Sequence, residues 1–512
     1  MPAITHTLDR LMLDSIRRHR DAVALDDGSR SLTYSELGEV SMRLAQILRE
    51  DGAGRGNRVA VLSEDRVEVM PAYLASWIAG ATVVHLNARL ATAEIQYIVD
   101  DARPDILLYT SGLRHHVESL SLSVTRQVLE LDGDELARRL AEVTTPEPIT
   151  NGLEGGDIAV IGYTSGTTGR PKGAMASHQA LTMNCRIAPF NLGIPARSRM
   201  AFTGSVSFVA SFWSMVFAHL YVGGTVRFLG HYDLDSWFDV MRRERSTWTY
   251  CSSPMLAGFA ERLAAEPDIL DHLVCVMHTG SIGHPRDIEA VVRALKGRFV
   301  EAYGSTEVVA PVACTAPWMY RDVGPGDPIF ASGGLAMPSA ELWIAREDGT
   351  RAEIGEEGFI HARSDVGFSG YLNDPDKTAA TIIDGAIRTG DVGRLDEYGR
   401  LFVSGRQAEL IVSGGMNVYP AEVERVIAEH PDVVQVAVLG LPHERWGTSV
   451  SAAVVLRPGA RTTADDIVEW SRRFLASYKK PTSVWFLDEL PQNPSRKIDK
   501  LRLRDQLAEP GA

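Results

Sequence analysis

The chain has 512 residues, too many for one ordinary domain, so two or more units with large cores are expected. Its composition, 45% hydrophobic and 23% charged, is that of a globular protein. The net charge of -14 argues against binding a polyanion over the general surface but leaves room for a local phosphate site.

The amino terminus, Met1 to His6, has no basic segment leading into an apolar one, so no signal peptide is expected. The richest apolar stretch, around Phe208 to Val222, is interrupted by Ser211, Ser214 and His219 and falls short of a membrane span. A cytoplasmic protein is the resulting expectation. Cys185, Cys251, Cys275 and Cys314 lie far apart with no CxxC pair. They read as small apolar residues in a reducing compartment.

In chain order, Ile158 to Ile161 is a short buried-strand pattern running into a Gly/Ser/Thr loop. Leu273 to Met277 repeats it and ends in His278-Thr279-Gly280-Ser281. A helix follows, with Pro285 near its start and Ile288, Val291, Val292 and Leu295 at helical spacing. Phe299-Val300 is a strand candidate leading directly into Tyr303-Gly304-Ser305-Thr306-Glu307. This order predicts a parallel α/β sheet with ligand loops at the carboxyl ends of its strands. From about Gly355 to Val403, denser glycines and shorter strands predict a small antiparallel, barrel-like piece. A second α+β unit follows Arg406. It has a helix over Glu422–Ile427, strands over Val433–Leu439 and Val450–Leu456, and a helix capped by Thr463 carrying Ile467, Trp470 and Phe474.

The strongest chemical signal is the stretch from Tyr163 to Gly173. It contains Thr164, Ser165, Gly166, Thr167, Thr168 and Gly169, and it closes on Lys172. Glycines let the backbone approach phosphate oxygens, hydroxyls and N–H groups donate to them, and Lys172 adds charge. Because Lys172 follows Pro171, it is not a Walker loop. The chain holds only seven lysines, so one inside a motif is less readily background.

That segment resembles the signature loop of the adenylate-forming superfamily, which includes acyl- and aryl-CoA synthetases, peptide-synthetase adenylation domains and firefly-type luciferases. The resemblance runs along nearly the whole chain. Leu32-Thr33-Tyr34-Ser35-Glu36-Leu37 is similar to the LTYxEL element, Tyr303 to Glu307 to YGxTE, and Gly370-Tyr371-Leu372 to the GY element. Thr389-Gly390-Asp391 is similar to TGD, and Arg406 with Ser413 to Glu424 to the glycine-rich opening of the carboxyl-terminal domain. Pro494 to Ile498 is similar to the terminal lysine motif.

The resemblance implies a fold as well as a reaction. A large N-terminal domain, residues 1–407, holds doubly wound α/β subdomains plus a small β-barrel. A small mobile α+β C-terminal domain, residues 408–512, carries the catalytic lysine. The implied reaction is ATP-dependent activation of a carboxylic acid as acyl-AMP, then acyl transfer to coenzyme A. Tyr303 then packs on adenine, with Gly304 and Ser305 in the same nucleotide motif. Asp391 and Arg406 hold the ribose, and Thr306 faces the α-phosphate. Glu307, with Thr164, ligates Mg²⁺ through hard oxygens. Lys497 bridges the acyl carboxylate and the α-phosphate. Taken singly, Asp391 reads as a turn aspartate, Lys497 as a solvated lysine and Glu307 as a helix-start carboxylate; the register of the other motifs favours the site reading.

Three departures from the family stand out. Ser205 to Val209 lacks the histidine that often precedes the acyl pocket, the hinge position is Ala408 where Asp or Lys is usual, and Arg496 replaces the glycine before the last lysine. No acidic residue occurs between Ser205 and Val222, which argues against an amino acid substrate. Phe208, Phe212, Trp213, Ser281, Val308 and Val309 are the candidate pocket for a hydrophobic acid, with Phe212 and Trp213 equally readable as helix core. Gly414, Gly415, Trp446, Lys479 and Lys480 are the candidate coenzyme A contacts, against a surface tryptophan and a solvated basic pair. A separate carrier protein or partner enzyme is the alternative acceptor, and a homodimer is an open assembly. Outside the enzyme class, a nucleotide- or acyl-binding pseudo-enzyme is the competing reading.

Overall fold

Two large sheets carry most of the chain. The computed structural model describes residues 7–144, 151–164, 171–281, 283–413, 416–443, 447–493 and 497–508. In the nine-stranded sheet, the six strands Phe299–Tyr303, Cys275–Thr279, Trp248–Tyr250, Arg199–Phe202, Thr225–Phe228 and Val23–Asp26 run parallel, in that order. Antiparallel strands close both edges. In the six-stranded sheet, Gln127–Glu130, Ile106–Tyr109, Arg58–Leu62, Thr82–Leu86 and Ile158–Thr164 are parallel, with Lys172–Ser177 antiparallel at the edge.

One core spans both sheets, and the helix Val69–Ala79 sits within it with all eleven residues buried. Its sequence contains no charged residue, as a helix covered on every side requires. The helix Tyr34–Glu50 starts on a capping box: Glu36 donates its backbone N–H to the Thr33 hydroxyl at 3.2 Å, and its carboxylate accepts from the Thr33 N–H at 2.7 Å. Tyr34 is buried and donates to the carbonyl of Gly224 at 2.7 Å. The Leu32–Leu37 element thus fastens the chain's start to the nine-stranded sheet.

A five-stranded antiparallel sheet follows, built from Ala340–Ala345, Gly358–Ser364, Ile382–Ile383, Ala386–Leu395 and Leu401–Arg406. It begins earlier than the glycine pattern suggests. Trp343 on its first strand lies under the guanidinium groups of Arg351 and Arg363, at 4.8 and 5.4 Å from the ring centre. The C-terminal domain has a hairpin, Ile411–Ser413 with Met416–Val418, and a three-stranded sheet of Val433–His443, Gly447–Leu456 and Ser483–Phe486. The helices Pro420–Ala428, Ala464–Phe474 and Lys500–Ala508 complete it. The protein is therefore α/β, with a large N-terminal and a smaller C-terminal domain. Among the described residues no helix is long and apolar enough to cross a membrane. All four cysteines are free, and Cys185, Cys251 and Cys275 are buried.

Candidate functional site

The carboxyl ends of the parallel strands and the last strand of the antiparallel sheet bring the sequence motifs together. Thr164 ends one strand, Lys172 begins the next, and the two are cross-strand partners. The loop they bracket, with Ser165, Gly166, Thr167, Thr168 and Gly169, lies outside the described residues. The Lys172 ammonium stands 5.9 Å from the centre of the Tyr371 ring, and Tyr371 donates its hydroxyl to Glu307 Oε1 at 2.7 Å. Tyr371 therefore links the lysine of the first motif to the acid of the second. Sequence reasoning gives it no role, although it is the aromatic residue of the GY element.

Tyr303 ends the strand Phe299–Tyr303. Its hydroxyl donates to Asp391 Oδ2 at 2.7 Å and to Thr389 Oγ1 at 3.2 Å. Asp391 and Arg406 face each other across two antiparallel strands, with Arg406 Nε 3.2 Å from Asp391 Oδ1. Burial pushes the Asp391 carboxyl above the usual carboxylate range, opposed by Arg406 and by the Tyr303 hydroxyl. A Cβ at position 304 would stand 2.9 Å from the Cα of Pro311, so only glycine lets the chain double back there. The adjoining Ser305 hydroxyl is buried and has no hydrogen-bond partner. An orphaned donor inside this motif is what a polar ligand would satisfy. The Thr306 carbonyl accepts from the Val309 N–H at 3.1 Å, which tightens the same turn.

Lys497 reaches this group from the C-terminal domain. The residue is exposed to solvent. Desolvation first, then the Arg406 charge, lowers its pKa to about 8, while Asp391 and Glu409 pull the other way. Lys500, one helical start further on, lies 2.9 Å from both Glu409 and Glu424. Burial alone would lower its pKa, but those two carboxylates outweigh it and raise it. Between Arg406 and Lys500, the exposed Ala408 occupies a short 3-10 turn, Gln407–Glu409.

Of the candidate acyl-pocket residues, Phe212 and Trp213 are fully buried at the head of a π-helical turn, Phe212–Val216. Phe212 packs edge-on against Tyr73 and Phe217, with ring centres 4.8 and 4.9 Å apart. The Trp213 Nε1 is buried without a partner. Val308 and Val309 are also buried, and Val309 holds a φ of +60°, rare for a β-branched residue. Phe208 is half-buried, with the Arg89 guanidinium 5.2 Å above its ring. Where the family often has histidine, the loop is held instead by Asp65, which accepts from the Val206 N–H at 2.6 Å. A buried histidine, His85, pairs with the Ser207 carbonyl at 3.0 Å. Of the candidate coenzyme A contacts, Lys479 lies 2.7 Å from both oxygens of Glu422, with half-buried Lys480 beside it. Gly414, Gly415 and Trp446 lie outside the described residues.

A second polar group was not legible from spacing. Ser253 Oγ lies 2.7 Å from His278 Nε2 and 2.6 Å from Ser281 Oγ, and His278 Nδ1 lies 2.7 Å from Glu301. His278 and Thr279, expected in a loop, belong to the strand Cys275–Thr279, because parallel pairing sets them opposite Glu301 and Ala302. Burial raises the Glu301 pKa and His278 opposes the rise.

Comparison with known proteins identifies the family. The AMP-binding enzyme family model matches residues 13–372, and the AMP-binding enzyme C-terminal domain model matches residues 422–497. A feruloyl-CoA synthase from Amycolatopsis sp is 32% identical over 495 residues, covering 96% of this chain and 97% of that one. An indoleacetate–CoA ligase from Aromatoleum aromaticum is 32% identical over 497 residues, covering 94% of each. Among solved structures, ATP-bound MatB from Rhodopseudomonas palustris superposes with a TM-score of 0.87 at 27% identity, covering 98% of this chain and 99% of that one. The amide bond synthetase McbA from Marinactinospora thermotolerans superposes with a TM-score of 0.88 at 26% identity, covering 98% and 100%.

Proposed function

The chain belongs to the AMP-binding enzyme family, and on that premise we propose that it is an AMP-forming acid–thiol ligase. It activates a hydrophobic carboxylic acid with ATP, releases pyrophosphate, and transfers the acyl group to coenzyme A. The observation that carries this reading is the joined set Tyr303, Asp391 and Arg406, held at 2.7 and 3.2 Å, whose charges act on Lys497 from the other domain. A cation that must be supplied across a domain boundary suits a reaction in which two anions are held together.

In this reading Tyr303 packs on adenine, Asp391 and Arg406 engage the ribose, and the hairpin from Thr164 to Lys172 holds the outer phosphates. Thr306 faces the α-phosphate. A carboxylate oxygen attacks the α-phosphorus, the bond to pyrophosphate breaks, and Lys497 offsets the charge gathered there. The nucleophile is already ionised, so this step needs no general base. Residues 1–407 form the adenylation domain, and residues 408–512 the domain that turns about Ala408 between the two half-reactions.

The donors fit Mg²⁺. Glu307 offers a hard oxygen, linked through Tyr371 to Lys172, the cross-strand partner of Thr164, and no group of three or more His, Cys, Asp or Glu stands ready to hold a metal among the described residues. One carboxylate plus substrate phosphates and water is how this ion is commonly held. When bound, it supplies charge neutralisation on the phosphates.

The test is pyrophosphate release over a panel of hydrophobic acids and free amino acids, each hit repeated with and without coenzyme A. Silence across all acids, or preference for an amino acid, overturns the reading. The acceptor arm also carries a carrier protein and simple amines, since an amide bond synthetase shares the fold.

A further inference from the structure

At the amino ends of the strands Arg199–Phe202 and Thr225–Phe228, on the side of the nine-stranded sheet away from Tyr303, lies a cavity of about 870 Å³. Six arginines and His19 line it, against only Asp21, Asp26 and Glu244, in a chain whose net charge is -14. Internal pairing consumes part of this charge. Arg17 pairs with Asp14, and Arg227 pairs with Asp26 and with Glu244 at 3.2 Å. Among the described residues, Arg18 and Arg199 reach only backbone carbonyls, those of Asp14 and Glu244. Arg20 and Arg197 have no ion-pair partner among the described residues.

We propose that this cavity is a second anion site, which takes a small molecule bearing two or more linked phosphates. Four guanidinium groups from two separate segments, Arg18 with Arg20 and Arg197 with Arg199, line it with no ion-pair partner among the described residues, and planar guanidinium matches phosphate oxygens two at a time. The concave shape and volume are those of a small-molecule pocket. Arg197 holds a φ of +54°, a left-handed turn position that glycine or asparagine occupies at lower cost. The turn therefore carries an arginine at a conformational cost. His19, beside it, has its pKa lowered by desolvation first and then by the charges of Arg197 and Arg18. Complementing the negative end of the helix Leu8–Arg18 accounts for Arg17 and Arg18. It does not account for Arg20, Arg197 and Arg199.

The site does not depend on the ligase activity, so it is tested by binding. Full-length protein is titrated calorimetrically with sodium tripolyphosphate and, in a separate arm, with ADP, in low salt without Mg²⁺ or acid. Wild type shows two classes of site. The double variant Arg20→Ala, Arg197→Gly weakens one of them by about tenfold or more and leaves pyrophosphate release unchanged; Lys172→Ala weakens the other. Tighter binding of ADP than tripolyphosphate at the arginine site identifies a nucleotide as the source of the phosphates, and the reverse identifies an inorganic polyphosphate. Glycine suits the left-handed turn, and an Arg20→Gln, Arg197→Gly pair with an unchanged melting temperature guards against misfolding. Wild-type binding by the double variant, or a single site that Lys172→Ala abolishes, overturns the proposal.

Discussion

Asp391 and Arg406 stand directly opposite each other on neighbouring antiparallel strands, and their side chains close to 3.2 Å. Arg406 favours the charged carboxylate and so opposes burial, which on balance raises the Asp391 pKa. The pair also leaves the second oxygen to the Tyr303 hydroxyl, so one buried acid fixes both an aromatic ring and a guanidinium.

Asp391→Asn keeps the shape and removes the charge. Hydrogen bonds to a charged group contribute roughly 1.5–3 kcal/mol, so kcat/KM for ATP should fall about 10- to 100-fold. The KM for the acid should change little, and pyrophosphate release at varied ATP separates the two constants.

The pH profile follows from Lys497. Adenylation needs the cation, and in the free protein this group loses its proton with a pKa of about 8. The kcat/KM for pyrophosphate release should therefore fall as pH rises through about 8, because that parameter reports the free enzyme. Bound phosphate and carboxylate favour the cation, so the limb in kcat should lie at higher pH. Lys497→Arg keeps its charge at every accessible pH and should flatten the limb in kcat/KM.

Removing the group altogether separates the half-reactions. Lys497→Ala should abolish formation of acyl-AMP from acid and ATP while sparing the reaction of pre-made acyl-AMP with coenzyme A. Near wild-type adenylation by this variant would sink the assignment.

How far the sequence reaches is visible in which contacts it foretells. The helix Ala464–Phe474 is legible because its cap Thr463 and its apolar spacing are local. Three of the parallel strands, Ile158–Thr164, Cys275–Thr279 and Phe299–Tyr303, are legible for the same reason, each a short apolar run ending at a loop. What escapes is lateral. Tyr371 meets Glu307 across 64 positions, His278 meets Glu301 through the register of two parallel strands, and Ser253 joins them from a 3-10 turn after the neighbouring strand Trp248–Tyr250. Neither spacing nor composition states a register. The strand Ala340–Ala345 escapes too, since its tryptophan is covered by distant arginines and not by an alternating pattern.

Ala408 tests the hinge. Its 3-10 turn accepts a φ near -65°, so Ala408→Pro should leave adenylation working and stop thioester formation. Single-turnover quenching should then show acyl-AMP persisting in the presence of coenzyme A. If both steps run unchanged, domain rotation does not pass through this residue.

His278→Ala should destabilise the large domain. It leaves the Glu301 carboxyl without its hydrogen-bond partner, a loss of about 1–3 kcal/mol for an unsatisfied buried group. His278→Gln, which restores a donor, should recover much of the lost melting temperature. Equal melting temperatures for His278→Ala and wild type would show the pair to be dispensable.

The helix Val69–Ala79, buried on every side, and the first strand, whose Val23 carbonyl accepts from the Thr225 hydroxyl 202 positions later, bear on how the chain is made. At about 5–20 residues per second, a ribosome needs roughly 10–40 s to bring that partner into being. Throughout that interval an apolar helix and an unpaired strand edge are exposed on the nascent chain. Production should therefore be limited by what shields those surfaces during translation, and slow growth at low temperature with abundant chaperone should raise the yield of folded protein more than any change to its finished core.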